Sequence, residues 1–193
     1  MAKNDEQSFP DQSAVALLII DTINDLEFAG GETLLRHALP MAHNIAALKR
    51  RARAAGIPAI YLNDNFGQWR SDFRSVVQRN LAGVRGAPMV RLLAPEPDDY
   101  FVLKPKHSGF FGTTLETLLR FIGARTLVLT GLTTEMCVLF TAMDAYMRDY
   151  ALLVPGDCCA AASAARHWQA LDYPQQVLKA DTRPAAERQL ERR

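Results

Sequence analysis

The stretch from Thr126 to Met147, TLVLTGLTTEMCVLFTAMDAYM, constrains the fold more than any other part of the chain. Leu127, Val128 and Leu129 form a continuous apolar run that ends at Gly131. A strand with no polar face must be covered on both sides, which is the situation of a strand inside a parallel sheet. Leu132, Thr133 and Thr134 then lead into a segment that is apolar on nearly every face, as a buried helix is, with Cys137 in its first turn. The pattern predicts a buried strand, a tight turn and a buried helix. A helix N-terminus carries free N–H groups and partial positive charge, so a thiol placed there is expected to have its thiolate favoured. On this stretch alone two readings stay open: Cys137 is a nucleophile, or it is a small core residue.

The rest of the chain repeats the same grammar. Ala14 to Ile20 is a second apolar run, ending at Asp21, and a loop with Asn24, Asp25, Gly30 and Gly31 follows. Leu34, Ala38, Met41, Ile45, Leu48, Ala52 and Ala55 alternate spacings of four and three, the stripe of an amphipathic helix. Pro40 marks its start or a kink, and Gly56 its C-terminal cap. Ile57 to Leu62 is a strand ending at Asn63-Asp64-Asn65, and a helix is predicted from about Ser71 to Leu81. Residues 83–99, with Pro88, Pro95 and Pro97, read as irregular. Tyr100 to Leu103 is a strand ending at Lys104, and a helix capped by Thr113 or Thr114 runs to Ile122. Ala151 to Val154 is the last long strand, followed by Pro155-Gly156-Asp157, a helix near Ala164 to Leu171 and a short strand near Gln176 to Lys179.

Strands alternating with helices predict an α/β fold with three layers, α/β/α: a Rossmann-like parallel sheet with helices on both faces. The expected organisation is a flexible polar arm over residues 1–13, one domain over 14–180 and a charged, solvated tail over 181–193. The polar opening MAKNDEQSFPDQS lacks the apolar centre of a signal peptide, and no apolar run reaches the ~20 residues of a membrane span. A net charge of +1 gives no electrostatic footprint for nucleic acid or a membrane surface. Three cysteines, two of them adjacent, make neither a disulfide framework nor a CxxC motif, which points to the cytoplasm. No histidine pair has HxxxH or HExxH spacing and no phosphate-binding glycine motif occurs, so neither a metal nor another cofactor is expected.

Parallel sheets bind ligands at the C-terminal ends of their strands. Those ends carry Asp21, Asn63 with Asp64, Lys104, the Gly131–Cys137 turn and Asp157. An acid, a cation and a thiol on one edge favour Cys137 as the nucleophile. The acid would take the thiol proton, the ammonium would hold the charges, and backbone N–H groups of the turn would receive an oxyanion. Phe28, Asn63, Trp69 and Phe110 are candidate substrate-binding residues, with core or interface packing as the equal alternative for Phe28 and Trp69. Asp157 is expected to fix loops. His37 and His43 read as surface residues, His107 as a loop residue near the site, and His167 has no assigned role.

Three blocks together resemble the isochorismatase-like cysteine hydrolase superfamily. LLIIDTINDLEF resembles its strand ending in the catalytic aspartate, and FVLKPKHSGFFGTTLETLLR its lysine block, with Ser108-Gly109-Phe110-Phe111-Gly112-Thr113 as the family run. LVLTGLTTEMCVLFTAMDAYMRDY resembles its nucleophile block. The likeness covers roughly residues 14–180 and implies Asp21 as general base, Lys104 as the lysine, with Lys106 as its rival, and Cys137 as nucleophile. It implies a non-proline cis peptide at Leu132-Thr133 that aims the Thr133 and Cys137 N–H groups at the oxyanion. No histidine follows Asn63-Asp64-Asn65-Phe66, which departs from the metal-binding nicotinamidase branch, and Leu26 stands where many relatives carry Phe. The cysteine favours hydrolysis of a C–N bond in a small amide, ureide or carbamoyl compound. Vinyl ether cleavage with Asp21 as acid, or a non-catalytic binding role, are the alternatives. Family members are commonly dimers or tetramers, so a homo-oligomer is expected, with a small molecule as substrate.

Overall fold

The computed structural model describes residues 12–67, 69–70 and 72–192; residues 1–11 of the expected arm and Ser71 lie outside the described residues. A six-stranded parallel sheet forms the middle layer, with strand order β3-β2-β1-β4-β5 and β6 added against the end of β4. The strands are β1 (Val15–Ile20), β2 (Ala59–Asp64), β3 (Tyr100–Lys104), β4 (Thr126–Leu132), β5 (Ala151–Leu153) and β6 (Cys159–Ala160). Helices α1 (Gly31–Ala54), α2 (Phe73–Leu81) and α3 (Ala87–Leu92) cover one face, and α4 (Leu115–Ile122), α5 (Leu139–Tyr146) and α6 (Ala164–Gln176) pack towards the other. Alternation along β1 divides the core. Val15, Leu17 and Ile19 join the α1 stripe of Leu34, Ala38, Met41, Ile45 and Leu48. Ala16, Leu18 and Ile20 face Leu115, Leu119 and Ile122 of α4 with Ala142 and Ala145 of α5. The three-layer α/β/α architecture expected from the sequence is therefore present.

Several elements differ from the sequence reading. The chain at 83–99 contains helix α3, because Pro88 lies in its first turn, where proline's missing N–H is no loss. Helix α1 runs straight through Pro40 as one element. Helix α6 continues through Pro174 to Gln176, so no strand forms at 176–179; the chain rejoins the sheet through a single bridge between Leu153 and Asp181. Strand β2 starts two residues later than expected and takes in Asn63 and Asp64. The tail is docked rather than solvated. Arg51 Nη1 donates to the Ala185 carbonyl at 2.8 Å, Asp157 Oδ1 accepts from Ala185 N at 2.8 Å, and Ala14 N donates to the Arg192 carbonyl at 3.0 Å.

Order reverses at β1: β2 and β3 lie on one side of it and β4 on the other. The crevice at such a switch point is where ligands bind in this class of sheet. Its two walls approach closely because Gly131, expected in a turn, lies inside β4 at φ 115°. A Cβ there would stand 2.0 Å from the Ile20 carbonyl oxygen. Gly131→Ala is expected to cost ~4 kcal/mol in urea unfolding, the range of severe backbone and packing insults. Gly30→Ala, also at positive φ but with nothing within 4 Å of its Cβ, should cost only ~1–2 kcal/mol.

Candidate active site

Strand β1 delivers Asp21 to the switch point. The residue adopts φ 52°, a left-handed conformation that Asp tolerates better than most residues, and its N–H donates to the Leu62 carbonyl at 2.8 Å. The turn leaves both carboxylate oxygens engaged: Oδ1 accepts from Asp64 N at 2.7 Å and Oδ2 meets Lys104 Nζ at 2.7 Å. Lys104 ends β3 with its side chain 0% exposed. Its ammonium also donates to the Lys106 carbonyl at 3.1 Å and lies 3.5 Å from Cys137 Sγ. The Cys137 thiol lies near enough to Asp21 for the carboxylate's charge to act on it. Acid, cation and thiol, 116 residues apart at their extremes, thus meet at one point. Lys106 has its side chain in solvent and contributes only its carbonyl.

Cys137 does not sit on an ordinary helix start. Thr134–Val138 forms a π-helical turn in which the Thr133 carbonyl accepts from Met136 N at 3.1 Å and Val138 N at 3.2 Å, and α5 follows. Such widened turns occur frequently at functional sites. The sulfur is half-buried, whereas Cys158 and Cys159 are buried. Contrary to the expectation from helix-end electrostatics, the thiol is pushed up to about 12, first by burial and then by the negative charge of Asp21, with Lys104 opposing. Burial also raises the Asp21 carboxyl above its usual range, against the pull of Lys104. Burial alone would lower the Lys104 ammonium, but the charges of Asp21, Cys137 and Asp64 outweigh it and raise it above the ordinary 10.5. Burial and the Asp21 charge thus favour the protonated thiol, beside a carboxylate that burial makes more basic.

The loop after β3 is tied to the same point. Gly109 N donates to Thr141 Oγ1 at 3.0 Å, and that hydroxyl donates to the Cys137 carbonyl at 2.6 Å. Ser108 Oγ donates to Asp144 on α5. His107, read from the sequence as a loop residue near the site, is held with its Nδ1 3.7 Å from Cys137 Sγ. Its signal in the sequence was its position three residues after Lys104.

The remaining candidates separate into frame and surface. Asn63 is buried on β2; its Oδ1 accepts from Ile23 N and its Nδ2 donates to the Ile23 carbonyl, both at 3.0 Å, which pins the chain just after Asp21. Phe110 is buried in the α4–α5 core beside Tyr150. Phe28 and Trp69 stand on loops at 49% and 78% exposure. Leu132 is buried as the last residue of β4, and the half-buried Thr133 carries a buried hydroxyl without a hydrogen-bond partner among the described residues. His167 bonds Thr134 Oγ1 through Nδ1 at 2.9 Å, a contact the sequence did not suggest. Asp157 holds loops through Ala185 N and Asn44. Among the described residues no group of three His, Cys, Asp or Glu side chains is placed to hold a metal, and no helix is long and apolar enough to cross a membrane.

A family model described as "Isochorismatase domain" matches residues 15–181. The chain belongs to the isochorismatase family. Within that family of hydrolases it is 42% identical over 166 residues to the "Uncharacterized isochorismatase family protein YaaI" of Bacillus subtilis, covering 86% of this chain and 91% of that one. It is 32% identical over 176 residues to the "Ureidoacrylate amidohydrolase RutB" of Methylorubrum extorquens, covering 76% and 70%. Among solved structures, an isochorismatase family protein from Desulfovibrio vulgaris superposes with a TM-score of 0.74 at 26% identity, over 90% of this chain and 95% of that one. The N-carbamoylsarcosine amidase of Thermoplasma acidophilum gives 0.66 at 27% identity, over 91% and 99%.

Removing one partner of a buried ion pair strands the other charge and costs ~3–5 kcal/mol. Lys104→Met is expected to lower stability by that amount in urea, and Asp21→Asn in the same chain to restore part of it. The raised Lys104 contributes stability that is fully present below pH 10.5 and is lost as pH rises through its higher folded value. The urea midpoint of the wild type should therefore fall more steeply over that interval than that of Lys104→Met.

Proposed function

We propose that this protein is a cysteine amidohydrolase that cleaves a C–N bond in a small amide, ureide or carbamoyl compound through a thioester on Cys137. The observation that carries the reading is the half-buried Cys137 thiol 3.5 Å from Lys104 Nζ, whose ammonium pairs at 2.7 Å with the buried Asp21 carboxylate. A thiol pushed up to about 12 needs a base in contact with it, and a buried carboxylate of raised basicity is suited to the task. Asp21 takes the thiol proton as Sγ attacks the carbonyl carbon. Lys104 keeps its charge and offsets the negative charge shared by oxygen and sulfur. The N–H groups of Thr133 and Cys137 receive the oxyanion. Collapse of the tetrahedral intermediate expels the amine, and water then hydrolyses the thioester. The proton transfer and one oxyanion donor are each worth about 10²–10³-fold or more. The names of two relatives, an amidohydrolase and an amidase, support C–N cleavage.

The reading includes a small-molecule substrate, a cytoplasmic setting and a homo-oligomer. An apolar stripe of Met136, Phe140, Met143, Tyr146 and Met147, exposed along the π-turn and α5, supports a second copy of the chain as its cover. Sedimentation should then give a species of at least twice 21.4 kDa.

A screen of small amides and ureides against wild type, Cys137→Ala and Asp21→Asn tests the chemistry. Both variants are expected to lose at least ~10²-fold in kcat/KM, and a quenched wild-type reaction should carry an acyl mass on Cys137. Because activity needs the Asp21 carboxylate, its acid limb should lie above pH 3.8, with activity lost as the pH falls through it. Wild-type rates in Cys137→Ala would sink the thioester mechanism; if isochorismate were the compound turned over, vinyl ether cleavage with Asp21 as acid would replace it.

A further inference from the structure

Helix α6 reaches the nucleophile's turn through a side-chain hydrogen bond, in which His167 Nδ1 lies 2.9 Å from Thr134 Oγ1. Thr134 opens the π-helical turn, and its carbonyl accepts from Leu139 N across the span that carries Cys137. Thr134 follows Thr133 directly and precedes Cys137 by three residues. A displacement of Thr134 would therefore move both N–H groups assigned to the oxyanion, and the sulfur with them. The thioester chemistry makes no other use of His167.

The direction of the bond follows from burial. Thr134 is 1% exposed, and the ring nitrogen is the partner that its hydroxyl has among the described residues. A buried hydroxyl proton left without an acceptor is costly. Nδ1 is an acceptor only in the neutral ring that carries its proton on Nε2; a protonated ring has an N–H on both nitrogens. Protonation would make Thr134 Oγ1 the acceptor and orphan the hydroxyl's own proton. Burial lowers His167 below the ordinary 6.5; Glu135 on the π-turn opposes the shift and His37 on α1 adds to it. Asp157 borders the same cavity of about 230 Å³, with its Oδ1 taken by Ala185 N. The half-buried ring lines that cavity beside the exposed His37, so protons reach it from solvent. Its place is fixed by α6: His167 N donates to the Ser163 carbonyl at 3.0 Å, and the ring meets Trp168 edge-on with centroids 4.8 Å apart.

We propose that His167 is a positioning residue for the nucleophile: its neutral ring, accepting from the Thr134 hydroxyl, holds the π-turn in the shape that presents Cys137 and the Thr133 and Cys137 N–H groups to a carbonyl. This role rests on the cysteine amidohydrolase reading and adds a second control by pH. His167 touches no reacting atom and moves no proton during the reaction. When the ring is protonated, the turn loses its anchor and attack by Cys137 slows. Asp21 and His107 are titratable groups near the same sulfur. A ratio between variants that keep both cancels what those two contribute.

Acetyl transfer from p-nitrophenyl acetate to Cys137, followed by mass spectrometry of quenched samples, reads the attack step directly. His167→Asn carries an amide at the level of Nδ1 and does not titrate. His167→Leu fills the space without a partner, and Thr134→Val exchanges only the hydroxyl for a methyl. At pH 8 acetylation is expected to fall about 10-fold in His167→Leu and in Thr134→Val, to fall no further when the two are combined, and to stay within ~3-fold of wild type in His167→Asn. Thr134→Ser, which keeps the hydroxyl, should match wild type. The ratio of His167→Asn to wild type should be constant from pH 8 down to 6.5 and then climb towards about 10-fold as the wild-type ring is protonated. Equal losses in His167→Asn and His167→Leu, or a ratio that does not change with pH, would overturn the positioning role and leave the thioester mechanism standing. A wild type that acetylates Cys137 no faster than Cys158 or Cys159 would overturn the amidohydrolase reading itself and this inference with it.

Discussion

The buried pair of Asp21 and Lys104 is the contact on which the rest of the site depends. Two charges removed from water are tolerated only when they neutralise one another and their remaining hydrogen-bonding positions are filled. Here Asp64 N takes the second carboxylate oxygen, and the Lys106 carbonyl and Cys137 sulfur take further directions of the ammonium. The pair also joins the ends of β1 and β3, which are separated in the sheet by β2. Function and fold therefore share one interaction. The groups that would set the reactivity of the sulfur also stitch the C-terminal edge of the sheet.

Burial first, and then the charge of Asp21, explains why the thiol is raised rather than depressed. A helix end favours a thiolate only while no stronger field opposes it, and a carboxylate in contact opposes it strongly. Cys137 is accordingly held as a protonated thiol beside a buried carboxylate and ammonium. The neighbouring thiols, Cys158 and Cys159, are raised first by burial, with the charge of Asp157 adding to it.

Much of the architecture was legible in the residues. Apolar runs ending in Asp21, Lys104 and the Gly131–Cys137 segment located the strands and the reactive edge, because side-chain burial on both faces leaves a plain trace in composition. What escaped was governed by contacts between distant segments. Asn63 braces the chain after Asp21 and Phe110 packs into the core, contacts that the sequence did not reveal. The tail looked solvated because it is charged, yet Arg51 and Asp157 bind its backbone. Residues 83–99 read as irregular from their prolines, yet Pro88 lies in the first turn of α3, where a lost donor matters least.

By itself the sequence determined the three-layer sheet, the order of its elements and the three side chains brought to one edge, because each strand's end is a local property of its apolar run. Only the tertiary structure decided that Lys104 rather than Lys106 faces Asp21, that Gly131 belongs inside a strand, and that His107 stands against the sulfur. Each of those is set by the distance between chains far apart in sequence, and no local pattern encodes it.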